Sequence, residues 1–335
     1  MRRGLAVGLG LILAAASCTP EGQDDDDTSA PLEGTAGFTG RVVSYPEGDP
    51  IEGMSVVVFD VQARYEIFTT DADGAFSASE LFPGFYRAKA WPLEGQNFIG
   101  AYHDDMYFYC TGTLLDLRRG GQLTDVDFRL PHGGVIAGTV TDTDSGEPLD
   151  GARVDVRGLD YYNSNLDPTV YTDADGRFEV VGLDSAIESL ETLIPVPGNY
   201  ELKVTVPGRP VFYYPGVYDP DTAEPVTALR GEIGEGWDLA LPPGGAIRGR
   251  VTDVDGEPAE GGSISARHGE LTWASVTVGL GDDGTFELGG LAPGGWSLEV
   301  RPDGLAALAP TEAIDVPEDG LVEELELISG PAARL

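Results

Sequence analysis

Leu202, Val204 and Val206 alternate with Lys203 and Thr205, and Leu298 and Val300 alternate with Ser297 and Glu299. A period of two places the apolar side chains on one face of an extended chain, so these stretches predict half-buried β-strands. Ala152-Arg153-Val154-Asp155-Val156 follows the same rule. Such strands are short and separated by Asp-Gly and Pro-Gly turns. Each sheet must then bury one face against another, which predicts an all-β sandwich architecture. Helical spacing occurs once, at Ile187, Leu190 and Leu193 behind Asp184 or Ser185 as cap. One or two helical turns are therefore expected within 184–193.

The strand pattern occurs three times. Gly40-Arg41-Val42-Val43, Gly138-Thr139-Val140-Thr141-Asp142 and Gly249-Arg250-Val251-Thr252-Asp253 open the copies, and Pro50, Pro148 and Pro258 follow. Next come Asp73-Gly74-Ala75-Phe76, Asp175-Gly176-Arg177-Phe178 and Asp283-Gly284-Thr285-Phe286, then Pro83-Gly84-Phe85-Tyr86, Pro197-Gly198-Asn199-Tyr200 and Pro293-Gly294-Gly295-Trp296. A spacing of about 100 residues matches one immunoglobulin-sized sandwich and far exceeds a solenoid repeat. The expected organisation is a tether at 18–36 and tandem units at 37–132, 133–243 and 244–335, with Gly133-Gly134 and Gly244-Gly245 at the joints.

The order Gly-x-Val-x-Asp, proline, Asp-Gly-x-Phe, Pro-Gly-x-aromatic resembles the carboxypeptidase regulatory-like domain, over nearly all of the chain from Gly37 onward. That resemblance implies three tandem Greek-key β-sandwiches of transthyretin-like type, grouped with carbohydrate-binding-like folds, and an accessory role beside other proteins. Zinc ligands of the peptidases lie outside this domain. Here His103, His132 and His268 have no glutamate at metal-ligand spacing, so a metallopeptidase is excluded. Related collagen-adhesin domains cross-link lysine to asparagine; this chain has only Lys89 and Lys203, and its third unit has neither.

The 335 residues carry 57 acidic and 20 basic side chains, a net charge of −37. So acidic a chain repels phosphate backbones, which argues against nucleic acid as a partner. Ahead of the first unit, Arg2-Arg3, an apolar run to Ala14 and Ala15-Ala16-Ser17-Cys18 read as a signal peptide at 1–17. Small residues before a cysteine resemble the bacterial lipobox, which makes Cys18 the acylated residue; an ordinary cleavage near Ala16 leaving a free thiol is the alternative. Thr19 in place of aspartate favours the outer membrane, and Asp24–Asp27 lies in a polar tether.

Two residue sets invite chemistry. Asp71 and Asp73, like Asp173 and Asp175, have spacing that superficially suits calcium, but no closing glutamate follows, and Asp-Gly pairs supply hairpin turns more directly. Tyr102, Tyr107 and Tyr109 in the first unit correspond to Tyr213, Tyr214 and Tyr218 in the second. Exposed, these rings would stack on sugars beside neighbouring aspartates; buried, they would fill a sandwich edge or a joint. Cys110 lies among them. No nucleophile elbow or metal set is present, and no cofactor is expected. The expectation is a non-enzymatic, lipid-anchored envelope protein, a scaffold or interaction module whose partners are the membrane and a polysaccharide or envelope protein. The alternatives are a carbohydrate-binding lipoprotein and a calcium-dependent adhesion module.

Overall fold

A computed structural model describes residues 35–330, apart from 63, 105–111, 161–166, 188–194, 260, 272–273, 304–307, 309–310 and 318–319. The first unit contains β1 (Ala36–Tyr45), β2 (Ser55–Asp60), β3 (Tyr65–Thr69), β4 (Ala75–Leu81), β5 (Phe85–Trp91), β6 (Ala101–Tyr102), β7 (Leu115–Asp116), β8 (Gly121–Leu123) and β9 (Phe128–Pro131). The second contains β10 (Gly134–Asp142), β11 (Arg153–Gly158), β12 (Thr169–Tyr171), β13 (Arg177–Leu183), β14 (Ala186–Ile187), β15 (Pro195–Val196), β16 (Gly198–Thr205), β17 (Phe212–Tyr213), β18 (Val226–Ala228), β19 (Ile233–Gly234) and β20 (Leu239–Leu241). The third contains β21 (Gly245–Asp253), β22 (Gly262–His268), β23 (Ser275–Gly279), β24 (Thr285–Leu291), β25 (Gly294–Pro302), β26 (Ile314–Val316) and β27 (Leu321–Ser329).

Each unit packs two sheets on one core. In the first, β4-β1-β8, with β9 also on β1, faces β3-β2-β5-β6, with β7 also on β5. The second repeats this as β13-β10-β19 against β12-β11-β16-β17, and the third as β24-β21-β27 against β23-β22-β25-β26. The final strand pairs parallel to the first strand of its unit, a register that only a crossover between the two sheets can produce. It runs unbroken in β27 but is split into β8 and β9, and into β19 and β20, in the earlier units.

The recurring first-strand glycine has a steric cause. A Cβ at Gly40 or Gly138 would strike the backbone carbonyl of Val126 or Trp237, in the break between the two pieces of the last strand, and one at Gly249 that of Leu325 within β27, so the last segment approaches the first strand only over glycine. The Pro-Gly-x-aromatic motif also has one role throughout. Tyr86 and Tyr200 donate their hydroxyls to the carbonyls of Phe82 and Asp184, at 2.8 and 2.5 Å, and Trp296 donates Nε1 to Ala292 at 2.8 Å. A large ring thereby enters the core while its polar atom ties down the preceding turn.

Three buried clusters result. Phe38, Met54, Phe76 and Phe128 belong to the first, Ile136, Tyr200, Leu202 and Phe178 to the second, and Ile247, Trp296, Phe286 and Leu298 to the third. The segment expected to be helical begins differently. Ala186 and Ile187 form β14 and pair antiparallel with Val196 and Pro195 of β15, so Ile187 takes part in a ladder rather than a helical turn; the remainder, 188–194, lies outside the described residues. Pairing with Pro195–Val196 offers the backbone a partner eight residues away that helical periodicity does not register.

Candidate functional site

The aspartates of the turns are committed to the backbone. Asp71 Oδ1 accepts from the N–H groups of Asp73 and Ala75, at 3.0 and 2.9 Å, and Asp173 Oδ1 accepts from Asp175 and Arg177, at 3.0 and 2.8 Å. Asp175 pairs with Arg177 at 2.6 Å. These are turn caps, and no group of three metal-type ligands occurs among the described residues. Asp173→Ala is expected to lower stability by about 1 kcal/mol through loss of both bonds, with the melting temperature insensitive to millimolar calcium in either protein. A calcium-dependent rise of several degrees in the parent alone would contradict this.

The paired aromatic residues are turned inward. Tyr102 is 3% and Tyr213 7% exposed, so neither presents a ring face for a sugar. Tyr214 packs on the second core with its ring 5.3 Å from that of Trp237, and Tyr218 lies 5.1 Å from Phe212. Tyr218 touches both the second and the third core, which makes it a joint residue. Tyr107, Tyr109, Cys110 and Cys18 lie outside the described residues. The histidines are likewise structural. His268 Nδ1 accepts from the N–H groups of Glu270 and Leu271, leaving Nε2 to donate to the Pro293 carbonyl at 3.0 Å. His132 reaches the Asn97 carbonyl through Nδ1 at 3.2 Å and stacks on Phe98.

The most elaborately built feature is the joint, and it is built twice. Between the first and second units, Asn97 Oδ1 accepts from the Gly182 N–H at 2.9 Å, and the Asn97 carbonyl accepts from Gly133 at 3.3 Å. A Cβ on Gly133 would lie 2.5 Å from Gly182 Cα and 2.9 Å from Asn97 Oδ1. Between the second and third units, a Cβ on Gly244 would lie 2.6 Å from Gly290 Cα and 2.9 Å from the Gly208 carbonyl. Gly182 and Gly290 have φ of 74° and 70°, a region open to glycine at little cost. In both places the loop leaving the second sheet of one unit lies on a glycine pair at the entry of the next. Within the second unit, Arg209 fixes the loop that carries Gly208 by donating to the Leu241 carbonyl at 2.7 Å and pairing with Asp142. The Ser145 backbone N–H, the Arg209 guanidinium and the Ser145 hydroxyl hold the Asp142 carboxyl well below the usual carboxylate range.

Lys89 lies at the first joint. Its Nζ stands 4.1 Å above the Trp91 ring and 5.1 Å from that of Tyr102, and the charge of Asp184 in the second unit favours its protonation. Burial outweighs that attraction and pushes the lysine down to about 8. An open cleft of about 570 Å³ on the second unit is lined by Tyr171, Arg177, Glu179 and Glu235 among others. Asn97 and Tyr171 carry no sequence motif, and Lys89 stands out in the sequence only as one of two lysines, so pattern alone places none of them at a joint or cleft.

No protein-family model and no curated protein sequence matches the chain. Among solved structures, a streptococcal ancillary pilin overlaps 90% of this chain and all of its own at 14% identity and a TM-score of 0.36. The major pilin subunit of Bacillus cereus overlaps 89% of this chain and all of its own at 9% identity and a TM-score of 0.25. The Bacillus anthracis TIE protein overlaps 88% of this chain at 13% identity and a TM-score of 0.25, and this chain spans half its length. The architecture of the present chain rests on its own strand registers.

Proposed function

We propose that the chain is a non-enzymatic envelope protein that holds a binding or spacing surface away from a membrane on a stiff series of carboxypeptidase regulatory-like sandwiches, with acylated Cys18 as its anchor. The repeated joint carries this reading. Strand β5 runs from the entry end of its unit at Phe85 to the donating loop beyond Trp91, and β16 does the same from Gly198 to the loop at Gly208. The second unit therefore receives the first at one end and donates to the third at the other, so the units stand head to tail. A linker whose glycines are packed against backbone has little freedom to bend, unlike an exposed flexible linker.

The proposed anchor accounts for the polar 19–34 segment as a tether, and the net charge of −37 favours solubility and mutual repulsion of neighbouring copies. Fractionation tests the anchor directly. The parent is expected in the membrane fraction until detergent is added, and Cys18→Ala in the soluble fraction; retention of the variant in the membrane overturns the anchor. Small-angle scattering tests the spacer. An elongated particle whose maximum dimension does not change between low and high salt is expected, whereas a dimension that varies with salt would mean flexible joints.

A further inference from the structure

The entry end of the first unit differs from the other two. Strand pairing aligns Ala36 with Leu81, Gly134 with Leu183 and Gly245 with Leu291. By that register the glycine pairs Gly133/Gly182 and Gly244/Gly290 correspond to Thr35 and Glu80, both exposed. Glu80 takes the same left-handed backbone, with φ of 63°, but carries a side chain where a loop from a preceding sandwich would lie. This end is not shaped to receive another unit of the same kind.

It displays a different surface. Phe82, next to Leu81, is 79% exposed, the most exposed large apolar side chain among the described residues. The turn that follows it is bonded to the 116–120 segment, since the Leu117 N–H donates to the Gly84 carbonyl at 2.8 Å. Arg118 lies over the Phe85 ring at 4.4 Å and is paired with Asp116 at 3.0 Å. Arg119 is exposed, and its charge, like that of Arg118, acts on Asp116. Ala36 also pairs with Gly121, which brings the chain entry, Phe82 and Arg119 to one tip. The acidic groups at this tip are Asp116, already paired with Arg118, Asp60, paired with Arg64, and Glu66 and Glu80.

We propose that this tip is a membrane-contact surface, with Phe82 inserted at the headgroup level of an anionic bilayer and Arg119 against lipid phosphates. The inference rests on the reading that Cys18 is acylated. The sixteen residues 19–34 then separate the lipid from Thr35, and a random chain of sixteen residues has its ends about 20–25 Å apart, a distance that keeps the tip close to the bilayer. An exposed aromatic ring beside an exposed arginine suits the interface, where the ring meets the acyl boundary and the cation meets phosphate. The acidic remainder of the chain is repelled by the same surface. Attraction at one tip and repulsion along the array would stand the units upright.

The test places a spin label at Phe82→Cys in the acylated full chain carrying Cys110→Ser, bound to phosphatidylglycerol vesicles, with the same label at Val254→Cys as the distal reference. At position 82 the label is expected to be protected from a water-soluble nickel relaxant and accessible to oxygen, and Arg119→Glu is expected to reverse this at least severalfold; position 254 stays exposed to nickel throughout. Flotation with the vesicles, measured on the same samples, reports the acyl anchor. A floating protein whose position 82 is as exposed as position 254 overturns the tip contact and leaves the anchor standing. A protein that does not float overturns the anchor and the contact together.

Discussion

Gly244→Leu is expected to open the joint between the second and third units while leaving both cores folded. The new Cβ would meet Gly290 Cα at 2.6 Å and the Gly208 carbonyl at 2.9 Å, and both are backbone atoms that cannot rotate aside. Overpacking of this kind costs about 1–3 kcal/mol, and the inexpensive relief is to lift the 208–209 loop from its seat. Tyr218 would then lose its contact with the third core. Small-angle scattering should show the single elongated particle of the parent replaced by a broader range of end-to-end distances, with circular dichroism unchanged. Asn97→Ala isolates the cross-joint contribution at the other joint, because it removes the acceptor of the Gly182 N–H without adding bulk. It should loosen that joint at a cost of about 1 kcal/mol. Scattering curves identical to the parent in both variants would show that the joints are not what aligns the units.

The second large effect concerns Lys89. With a folded value of about 8 against an ordinary 10.5, the unfolded chain binds the lysine proton more tightly than the folded one. Below about pH 8 both states carry the charge, and the folded state bears the full penalty of burying it. Between pH 8 and 10.5 the folded state releases the proton while the unfolded state retains it, so stability rises with pH across that window. The ceiling is about 3 kcal/mol, since each unit of displacement corresponds to about 1.4 kcal/mol. The urea midpoint of the parent should therefore increase between pH 7 and 9.5. Lys89→Met keeps the contact with Trp91 and Tyr102 but removes the charge, so it should stabilise the protein at pH 7 and abolish this part of the increase. A variant less stable than the parent at pH 7 would mean that the rings and Asp184 more than offset the burial of the ammonium group.

Both effects originate at places where two units meet, and the same places separate what could be read along the chain from what could not. Alternation at Leu202, Val204 and Val206 correctly assigns a strand, because facing is decided within a few residues by the pleat. The Asp-Gly turns and Pro-Gly-x-aromatic motifs are local in the same sense, and their threefold repetition at a spacing of about 100 residues identifies the sandwich. Even the short apolar spacing at 184–193 was ambiguous for a local reason: Ile187 and Leu190 fit a helical face, while the strand Ala186–Ile187 depends on Pro195–Val196 as partner.

The chain sequence by itself determined the turns, the strand faces, the all-β class, and the strongly acidic character of the molecule. Tertiary structure alone decided that Tyr102 and Tyr213 point inward, that Asn97 bonds Gly182 across 85 residues, and that Phe82 with Arg119 occupies the end where the other units hold glycine. The physical reason is range. Backbone sterics and side-chain alternation act between near neighbours, whereas burial, cross-joint hydrogen bonds and the desolvation of Lys89 depend on which distant segments the closed sheets bring into contact.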